Sequence, residues 1–426
     1  MFLLSLIGCA DAVAVKGADV GDAADAGSES ADSVGTVAPC ATVSAPEGEY
    51  VPQGAGAHIA LDECVGVTLV TAGAANQILA IELSDASGQA PTLTSTDVAG
   101  HVLAPTISLD GQAPVEFQLW QSGEVFLRVD PVDDAPWSGT LRVSCESACE
   151  REYTRYPIVL FHGFGAAGIF AGTDYFFQIR DVLEGQGYLV RNPDAEPFAS
   201  SEDRAEDWAA NLQSLIESGV GRRFNVIAHS QGGLDARYLI SALGWGDRIV
   251  ALDMIGTPNR GTVVADVLSG TITDGPVDQG IVDAASQAFA DLYGIGNGSQ
   301  SLATAMAALT TEKLTAFNAE VEDDSRVYYR SWAGVTCGAL EPACQDAHGG
   351  EVVEPLLGLL YLIPWTYGLP NDGMVPTESA PWGDFRGEIN ADHADEIGQF
   401  EDAANPAFDH RAFYLDEARQ LAAMGF

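Results

Sequence analysis

The spacing of apolar residues along the chain changes near residue 150. Before this point, short stretches alternate apolar and polar side chains between turns rich in Gly, Pro, Asp and Ser. Examples are residues 77–83, 116–120 and 124–129. This alternation is typical of strands with one buried face, and it predicts a small all-β sandwich, similar to a jelly roll, over residues 40–150.

After residue 151 the pattern becomes one of continuous apolar runs, such as residues 156–161, followed by stretches with helical spacing. Continuous apolar strands alternating with amphipathic helices indicate a mostly parallel sheet with helices on both faces. We therefore expect an α/β domain over residues 151–426. With 47% hydrophobic residues in 426, the chain can bury a core in each of these two units.

The most informative motif lies between a predicted strand and a predicted helix. The strand over residues 224–228 leads into Ala228-His229-Ser230-Gln231-Gly232, and a helix begins near Gly232. A serine in such a strained strand-to-helix turn requires small neighbours two residues away on each side. Ala228 is nearly as small as the glycine that is commoner there. The motif predicts Ser230 as the nucleophile of an α/β-hydrolase.

A second motif, Phe161-His162-Gly163-Phe164, ends the first strand of this domain. A glycine at this point lets the backbone turn toward the serine. Two preorganised backbone N–H groups can stabilise the oxygen charge of a tetrahedral intermediate. We expect those of Phe164 and Gln231 to form this oxyanion hole.

Three stretches of the chain resemble the true lipases of Pseudomonas and Burkholderia. They are YPIVLFHGF at residues 156–164, NVIAHSQGG at 225–233 and IGTPNRG at 255–261. The resemblance covers roughly residues 154–420. It implies an α/β-hydrolase fold and hydrolysis of triacylglycerols through an acyl-enzyme intermediate, with no organic cofactor.

The closing motifs of that family resemble Asn371-Asp372-Gly373-Met374-Val375 and His393-Ala394-Asp395-Glu396. In the order of this fold, an acid and then a histidine follow the serine, so Asp372 and His393 complete the triad. His393 is expected to take and return the serine proton, and Asp372 to orient the imidazole. Rival residues remain: His410 near Asp409 as the base, and Asp253 as the acid. His229 is expected to point away from the serine.

The resemblance also implies a calcium ion that holds the histidine loop. Asp395 matches the position of one aspartate ligand, Gln399 matches a backbone-carbonyl donor, and Glu354 stands near the position of the second aspartate. Hard oxygen donors suit calcium. A solvated acidic loop is the alternative interpretation.

Residues 262–301 lie where the related lipases carry a lid. A mobile amphipathic helix there would cover the serine in water and open at an oil surface. A fixed helix packed on the domain is an equal alternative. The resemblance further implies that a dedicated folding chaperone is a possible partner, as in some relatives.

The net charge is −42, from 61 acidic and 19 basic residues, and it would repel phosphate backbones. Nucleic acid is therefore a poor partner. Residues 10–39 are Ala, Gly, Asp and Ser with few large apolar side chains, which predicts a flexible acidic linker.

The seven cysteines indicate export. Residues 1–9 resemble a signal segment with a lipobox that ends at Cys9, which would carry a lipid anchor, and a truncated ordinary secretion signal is the alternative. The six other cysteines suit an oxidising compartment. Cys145 with Cys149 and Cys337 with Cys344 can close small loops, leaving Cys40 with Cys64, although fifteen pairings are formally possible. We expect an outer-membrane or cell-surface lipoprotein, or a secreted protein.

The predicted function is that of a serine ester hydrolase, with triacylglycerol lipase first among the possibilities and a lipid or ester at an interface as its partner. A carboxylesterase or polyesterase would use the same triad on other acyl or polymeric esters. A surface-binding protein with a degenerate hydrolase fold is the third alternative, and the intact Ser230, Asp372 and His393 speak against it.

Overall fold

The computed structural model describes most of the chain after residue 47. The described ranges are residues 48–61, 66–110, 113–132, 136–165, 169–170, 173–292, 306–400 and 407–426. The predictions for Cys9, for the linker 10–39, for Cys40 with Cys64 and for the end of the lid segment fall outside them.

The described part of the region before residue 150 consists of strands. They are β1 Glu49–Tyr50, β2 Gly56–Leu61, β3 Val67–Gly73, β4 Ile78–Gly88, β5 Thr92–Asp97, β6 Val102–Ser108, β7 Val115–Gln118, β8 Gly123–Asp130 and β9 Trp137–Ser147. One sheet has the order β1-β3-β8-β5-β6 and the other the order β2-β9-β4-β7. Every second residue of β8 is buried, as alternation requires. Leu69 and Leu127 of the first sheet share one apolar core with Leu79 and Leu141 of the second, so the sheets pack face to face.

The region after residue 150 contains a parallel sheet in the order β13-β10-β14-β15-β16-β17. The strands are β10 Ile158–Phe161, β11 Ile169–Phe170, β12 Thr173–Asp174, β13 Val190–Arg191, β14 Phe224–His229, β15 Ile249–Ile255, β16 Tyr328–Gly334 and β17 Asp384–Ile389, where β11 and β12 form a separate hairpin. The helices are α1 Ile179–Gln186, α2 Ser201–Glu217, α3 Gln231–Ser241, α4 Val263–Leu268, α5 Gln279–Leu292, α6 Thr311–Glu320, α7 Pro342–Ala347, α8 Gly358–Thr366 and α9 His410–Ala423, with two 3₁₀ turns, Trp245–Asp247 and Asp395–Ile397.

Both faces of this parallel sheet are covered, which explains the continuous apolar runs. Along β10, Ile158 and Leu160 belong to one core cluster, while Val159 and Phe161 belong to the cluster on the other face. Trp208 of α2 stacks on Phe161 with ring centroids 4.0 Å apart. The predicted fold class, an α/β-hydrolase preceded by an all-β sandwich, is confirmed.

The β-sandwich, defined as β1 to β9, contacts the α/β part at several points. Glu124 of β8 forms an ion pair with Arg155 at 2.7 Å, and the Gln121 side-chain amide donates to the Gly219 carbonyl at 3.0 Å. Both contacts lie near the amino ends of the parallel strands, because Arg155 precedes β10 and Gly219 lies between α2 and β14.

Two predicted disulfides, Cys145–Cys149 and Cys337–Cys344, are confirmed. Each closes a short loop, with four and seven residues of sequence separation. Within the described residues, every helix is too short or too polar to cross a bilayer.

Candidate active site

Ser230 lies in a strained turn between β14 and α3. Its φ of 56° and ψ of −132° place it in a region that side-chain-bearing residues seldom occupy. Backbones crowd this turn: a Cβ on Gly232 would lie 2.5 Å from the Phe161 carbonyl oxygen, and one on Gly233 would collide with the Thr257 side chain. The small residues of the motif therefore let the helix approach the sheet closely enough to present the serine.

The structure brings Ser230, His393 and Asp372 together from three separate loops. His393 Nε2 is 2.9 Å from Ser230 Oγ, and His393 Nδ1 is 2.9 Å from Asp372 Oδ2. The other carboxylate oxygen of Asp372 accepts backbone N–H groups of Met374 at 2.8 Å and Val375 at 2.6 Å. Ser230 and His393 are each 7% exposed and Asp372 is 1% exposed. This geometry suits proton transfer from the serine during acyl transfer.

The predicted oxyanion donors lie beside the nucleophile. A Cβ on Gly163 would lie 2.6 Å from Ser230 Cβ, so only a glycine lets the 161–164 turn approach the serine this closely. Phe164 follows in that turn. Gln231 is the first residue of α3, where a backbone N–H has no partner within the helix. The two segments can therefore direct backbone donors toward an oxygen bonded to the acyl carbon.

A buried arginine that the sequence reasoning missed supports the oxyanion turn. Arg204 of α2 is fully buried, donates to the His162 carbonyl at 2.6 Å and forms an ion pair with Asp235 at 2.7 Å. Burial, together with the charge of Arg204, lowers the pKa of His162 to about 3. Neutral His162 accepts the backbone N–H of Ala195 through Nε2 at 3.0 Å. Arg204 thus fixes the residue immediately before Gly163.

A buried series of hydrogen-bonded polar side chains, which the sequence analysis did not predict, lies beside His393. Glu396 Oε2 is 2.8 Å from His229 Nε2 and 3.6 Å from His393 Nδ1, and His229 Nδ1 is 2.6 Å from the Tyr175 hydroxyl. Burial raises the pKa of Glu396 and lowers that of His229. Glu396, His229 and the Tyr175 hydroxyl therefore form one continuous series of hydrogen bonds. The His229 side chain therefore points away from Ser230, toward Glu396 and Tyr175.

The rival acid and base have other partners. Asp253 forms a buried ion pair with Arg330, which also pairs with Glu417 at 2.8 Å. His410 begins α9, and its Nε2 is 3.1 Å from the Phe177 carbonyl oxygen. Since Asp253 and His410 are engaged in these contacts, Asp372 and His393 are the acid and the histidine that form a hydrogen-bonded series with Ser230.

Three carboxylates lie together directly beside the histidine loop. Oxygen atoms of Glu351, Asp392 and Asp395 are all within 4.8 Å of one another. Asp392 also accepts the N–H groups of Ala394 and Asp395, each at 2.9 Å, and its pKa is raised to about 6, chiefly by burial.

This cluster keeps one of the three predicted calcium ligands, Asp395. Glu354 is not a member: its backbone N–H donates to Asp392 at 2.6 Å. The Gln399 side-chain amide donates to the carbonyl oxygens of Asp174 at 2.7 Å and Tyr175 at 2.8 Å. Glu351 and Asp392 are the carboxylates that lie with Asp395, and the calcium ligands expected from the resemblance stay a prediction.

The described part of the predicted lid contains α4 and α5. Phe289 of α5 is fully buried and packs on Phe164 with ring centroids 5.7 Å apart. Both belong to an apolar cluster that also contains Val263, Leu357 and Met374. The segment therefore lies against the oxyanion turn, and residues 293–301 are outside the described ranges.

Comparison with known proteins finds curated relatives that are triacylglycerol lipases. The chain is 31% identical over 283 residues to a triacylglycerol lipase of Vibrio cholerae, an alignment that spans 61% of this chain and 85% of the relative. It is 26% identical over 293 residues to a triacylglycerol lipase of Pseudomonas fragi, spanning 64% and 98%. The crystal structure of the metagenomic carboxyl esterase MGS0156 aligns with a TM-score of 0.46 at 18% identity, over 63% of this chain and 76% of that one. No protein-family model matches the chain.

Proposed function

Because this chain belongs to the α/β-hydrolase family of bacterial triacylglycerol lipases and is a carboxylic ester hydrolase, we propose that it cleaves triacylglycerols through an acyl-enzyme formed on Ser230. The observation that carries this proposal is the unbroken series of contacts from Ser230 through His393 to Asp372, with two distances of 2.9 Å. Such a series activates a hydroxyl that is otherwise a weak nucleophile at neutral pH.

In this mechanism Ser230 Oγ attacks the ester carbonyl carbon while His393 Nε2 takes its proton. Asp372 holds the histidine tautomer that has its acceptor nitrogen toward the serine, and it stabilises the cation that forms. The backbone N–H groups of Phe164 and Gln231 donate to the carbonyl oxygen as it gains charge; losing one such donor costs about 3 kcal/mol. His393 then protonates the leaving alcohol. In the second half of the reaction a water molecule attacks the acyl carbon while His393 takes its proton, and His393 returns this proton to Ser230 Oγ as the fatty acid leaves.

The apolar surroundings of the site support a long-chain acyl substrate. Phe289 and Val263 of the lid segment belong to the same apolar cluster as Phe164, which lies in the oxyanion turn. A substrate with long apolar chains gains free energy by replacing water along such a surface. We propose that the enzyme acts on a lipid or ester at an interface. In the absence of an interface, the lid segment would cover the site.

We further propose a structural calcium ion held by Glu351, Asp392 and Asp395. Three buried or partly buried carboxylates repel one another, and a divalent cation with a preference for oxygen ligands relieves that repulsion. The ion would hold the loop that carries His393, since Asp395 is two residues away. It would supply no reacting group.

Export of the protein is supported by the two disulfides, which persist in oxidising compartments. The lipobox-like segment at Cys9 would anchor the mature protein at a membrane surface. Mass spectrometry of the mature N-terminus tests this proposal: an acylated Cys9 is expected, and an unmodified peptide that begins elsewhere would exclude the anchor.

The test of the proposed function compares hydrolysis of an emulsified long-chain triglyceride with that of a soluble short-chain ester. The proteins are the parent enzyme, Ser230→Ala and the control Ser218→Ala, which changes an exposed serine at the end of α2. Triglyceride turnover that only Ser230→Ala abolishes supports the lipase. Turnover of the short-chain ester alone would assign the same triad to an esterase, and activity that persists in Ser230→Ala would refute the mechanism.

A further inference from the structure

One short segment contacts both halves of the oxyanion hole. Residues 195–201 lead from β13 into the first residue of α2, and we call them the bridging segment. The two backbone donors assigned to the oxyanion lie on separate elements, since Phe164 follows β10 and Gln231 begins α3. The distance between the donors therefore depends on whatever connects these two elements beside the serine.

The bridging segment holds the turn that carries Phe164. The backbone N–H of Gly165 donates to the Pro197 carbonyl at 2.7 Å. On the other side of the turn, the backbone N–H of Ala195 donates to His162 Nε2 at 3.0 Å. These two hydrogen bonds flank Phe164 in the sequence, so the turn and the bridging segment must move together.

The side chain of Gln231 joins the same segment to the turn that carries the serine. Its Nε2 donates to the Ala199 carbonyl at 3.1 Å and lies 3.3 Å from Ser201 Oγ. Gln231 is 1% exposed, and a buried amide that loses its hydrogen bonds is costly. The backbone N–H of Gln231 is the expected oxyanion donor, and fixing the side chain limits how this residue can shift.

The bridging segment is itself fixed by the buried ion pair of Arg204 with Asp235. Arg204 Nη1 donates to the Glu196 carbonyl at 2.6 Å. Asp235 of α3 pairs with Arg204 at 2.7 Å and also forms a hydrogen bond with Ser201. The segment is thus held between α2 and α3, and it can serve as a rigid connection between the two donors.

We infer that the Gln231 side chain is a positioning residue of the reaction, which sets the spacing of the two oxyanion donors through the bridging segment. The inference rests on the proposed function, because an oxyanion hole matters only for acyl transfer. Both donors must lie within about 3 Å of the oxygen that gains charge in the transition state. A misplacement of about 1 Å can lower the rate about 100-fold.

The test uses Gln231→Met in the full chain, which keeps the backbone N–H and the length of the side chain but removes its N–H donors. With a soluble ester we expect kcat to fall about tenfold, while KM stays within about twofold of the parent. Gln213→Met is the matched control, because the amide of Gln213 donates to Glu217 on the exposed side of α2. Gln231→Asn, whose amide is one methylene shorter, repeats the test if the methionine variant does not fold.

A trifluoromethyl ketone provides a readout that a purely structural role would not move. Ser230 Oγ adds to its carbonyl carbon, the serine proton passes to His393, and the former ketone oxygen takes the negative charge in the oxyanion hole. The inhibition constant should rise in Gln231→Met by about the factor by which kcat/KM falls.

Parent-like kcat in folded Gln231→Met, an equal loss in Gln213→Met, or a loss of kcat with an unchanged inhibition constant would overturn the inference. Each of these results is obtained with an active parent enzyme, so the proposed function would stand. A parent without any turnover that depends on Ser230 would instead refute the proposed function, and this inference with it.

Discussion

Polar and charged side chains are buried at one end of the parallel sheet and partly exposed at the other. At the carboxyl end, Ser230, His393, Asp372 and Glu396 are all buried, and each of these side chains forms a hydrogen bond with a defined neighbour. At the amino end, the exposed Arg222 and the half-buried Arg248 line a cavity beside the β-sandwich. The parallel topology therefore places the proposed catalytic side chains at one edge of the sheet and a charged cavity at the other. Variants at the two ends should therefore differ in what they change.

The largest expected effect follows from removing the base at the carboxyl end. His393→Ala should lower kcat by about five to six orders of magnitude, because the serine loses its proton acceptor. His410→Ala is the control, since its ring contacts the Phe177 carbonyl instead. Steady-state hydrolysis of a soluble ester measures both. A comparable loss of kcat in a folded His410→Ala would show that the base is misassigned.

A smaller loss of kcat is expected from crowding the oxyanion turn. In Gly163→Ala the new methyl group would lie 2.6 Å from both Ser230 Cβ and the Tyr175 hydroxyl, so the turn must move away from the serine. We expect kcat to fall about 10²-fold. Gly185→Ala, in α1 where a Cβ meets no neighbour within 4 Å, provides the control. Parent-like kcat in Gly163→Ala would mean that the turn does not contribute to transition-state binding.

Removing calcium should affect stability more than chemistry. We expect a chelator to lower the melting temperature of the parent by about 5 °C, and to change that of Asp395→Asn much less. Asp181→Asn, an exposed substitution, should respond like the parent. Scanning calorimetry with and without chelator measures the difference. An unchanged melting temperature together with full activity would remove the calcium site from the account.

The smallest expected effect on catalysis comes from the amino end of the sheet. Arg222→Ala should keep kcat on a soluble ester within about twofold of the parent, since surface substitutions away from packed features change little. A large loss of kcat in a folded Arg222→Ala protein would connect the amino end of the sheet to the catalytic residues and end the contrast between the two ends.

Much of the site could be predicted from sequence because its motifs are local. The elbow around Ser230 requires small residues at fixed offsets, and its place between a strand and a helix can be read from apolar spacing. The chain order of serine, acid and histidine then pointed to Asp372 and His393. The fold class, an all-β region followed by an α/β region, was predicted in the same way from the change in spacing near residue 150.

The supporting residues could not be predicted, because their contacts join distant parts of the chain. Arg204 reaches His162 across 42 positions, and Glu396 reaches His229 across 167. Arg204 has no local mark, since a charged residue on an amphipathic helix is usually solvated. Glu396 stands in the quoted His393–Glu396 motif, but nothing in that motif indicates its contact with His229. The acidic segment shows the same difficulty: sequence position pointed to Glu354, whereas in the structure the carboxylate of Glu351 lies with those of Asp392 and Asp395.

The central claim, that Ser230 is a nucleophile activated by His393, is tested most directly by covalent labelling. The protein is treated with an alkyl phosphonate ester that reacts with activated serines, and intact mass and peptide mapping locate the adduct. The account predicts one equivalent of label on Ser230 in the parent, none in Ser230→Ala and a strongly slowed reaction in His393→Ala. Label on another residue, or equal labelling rates in His393→Ala and the parent, would contradict it.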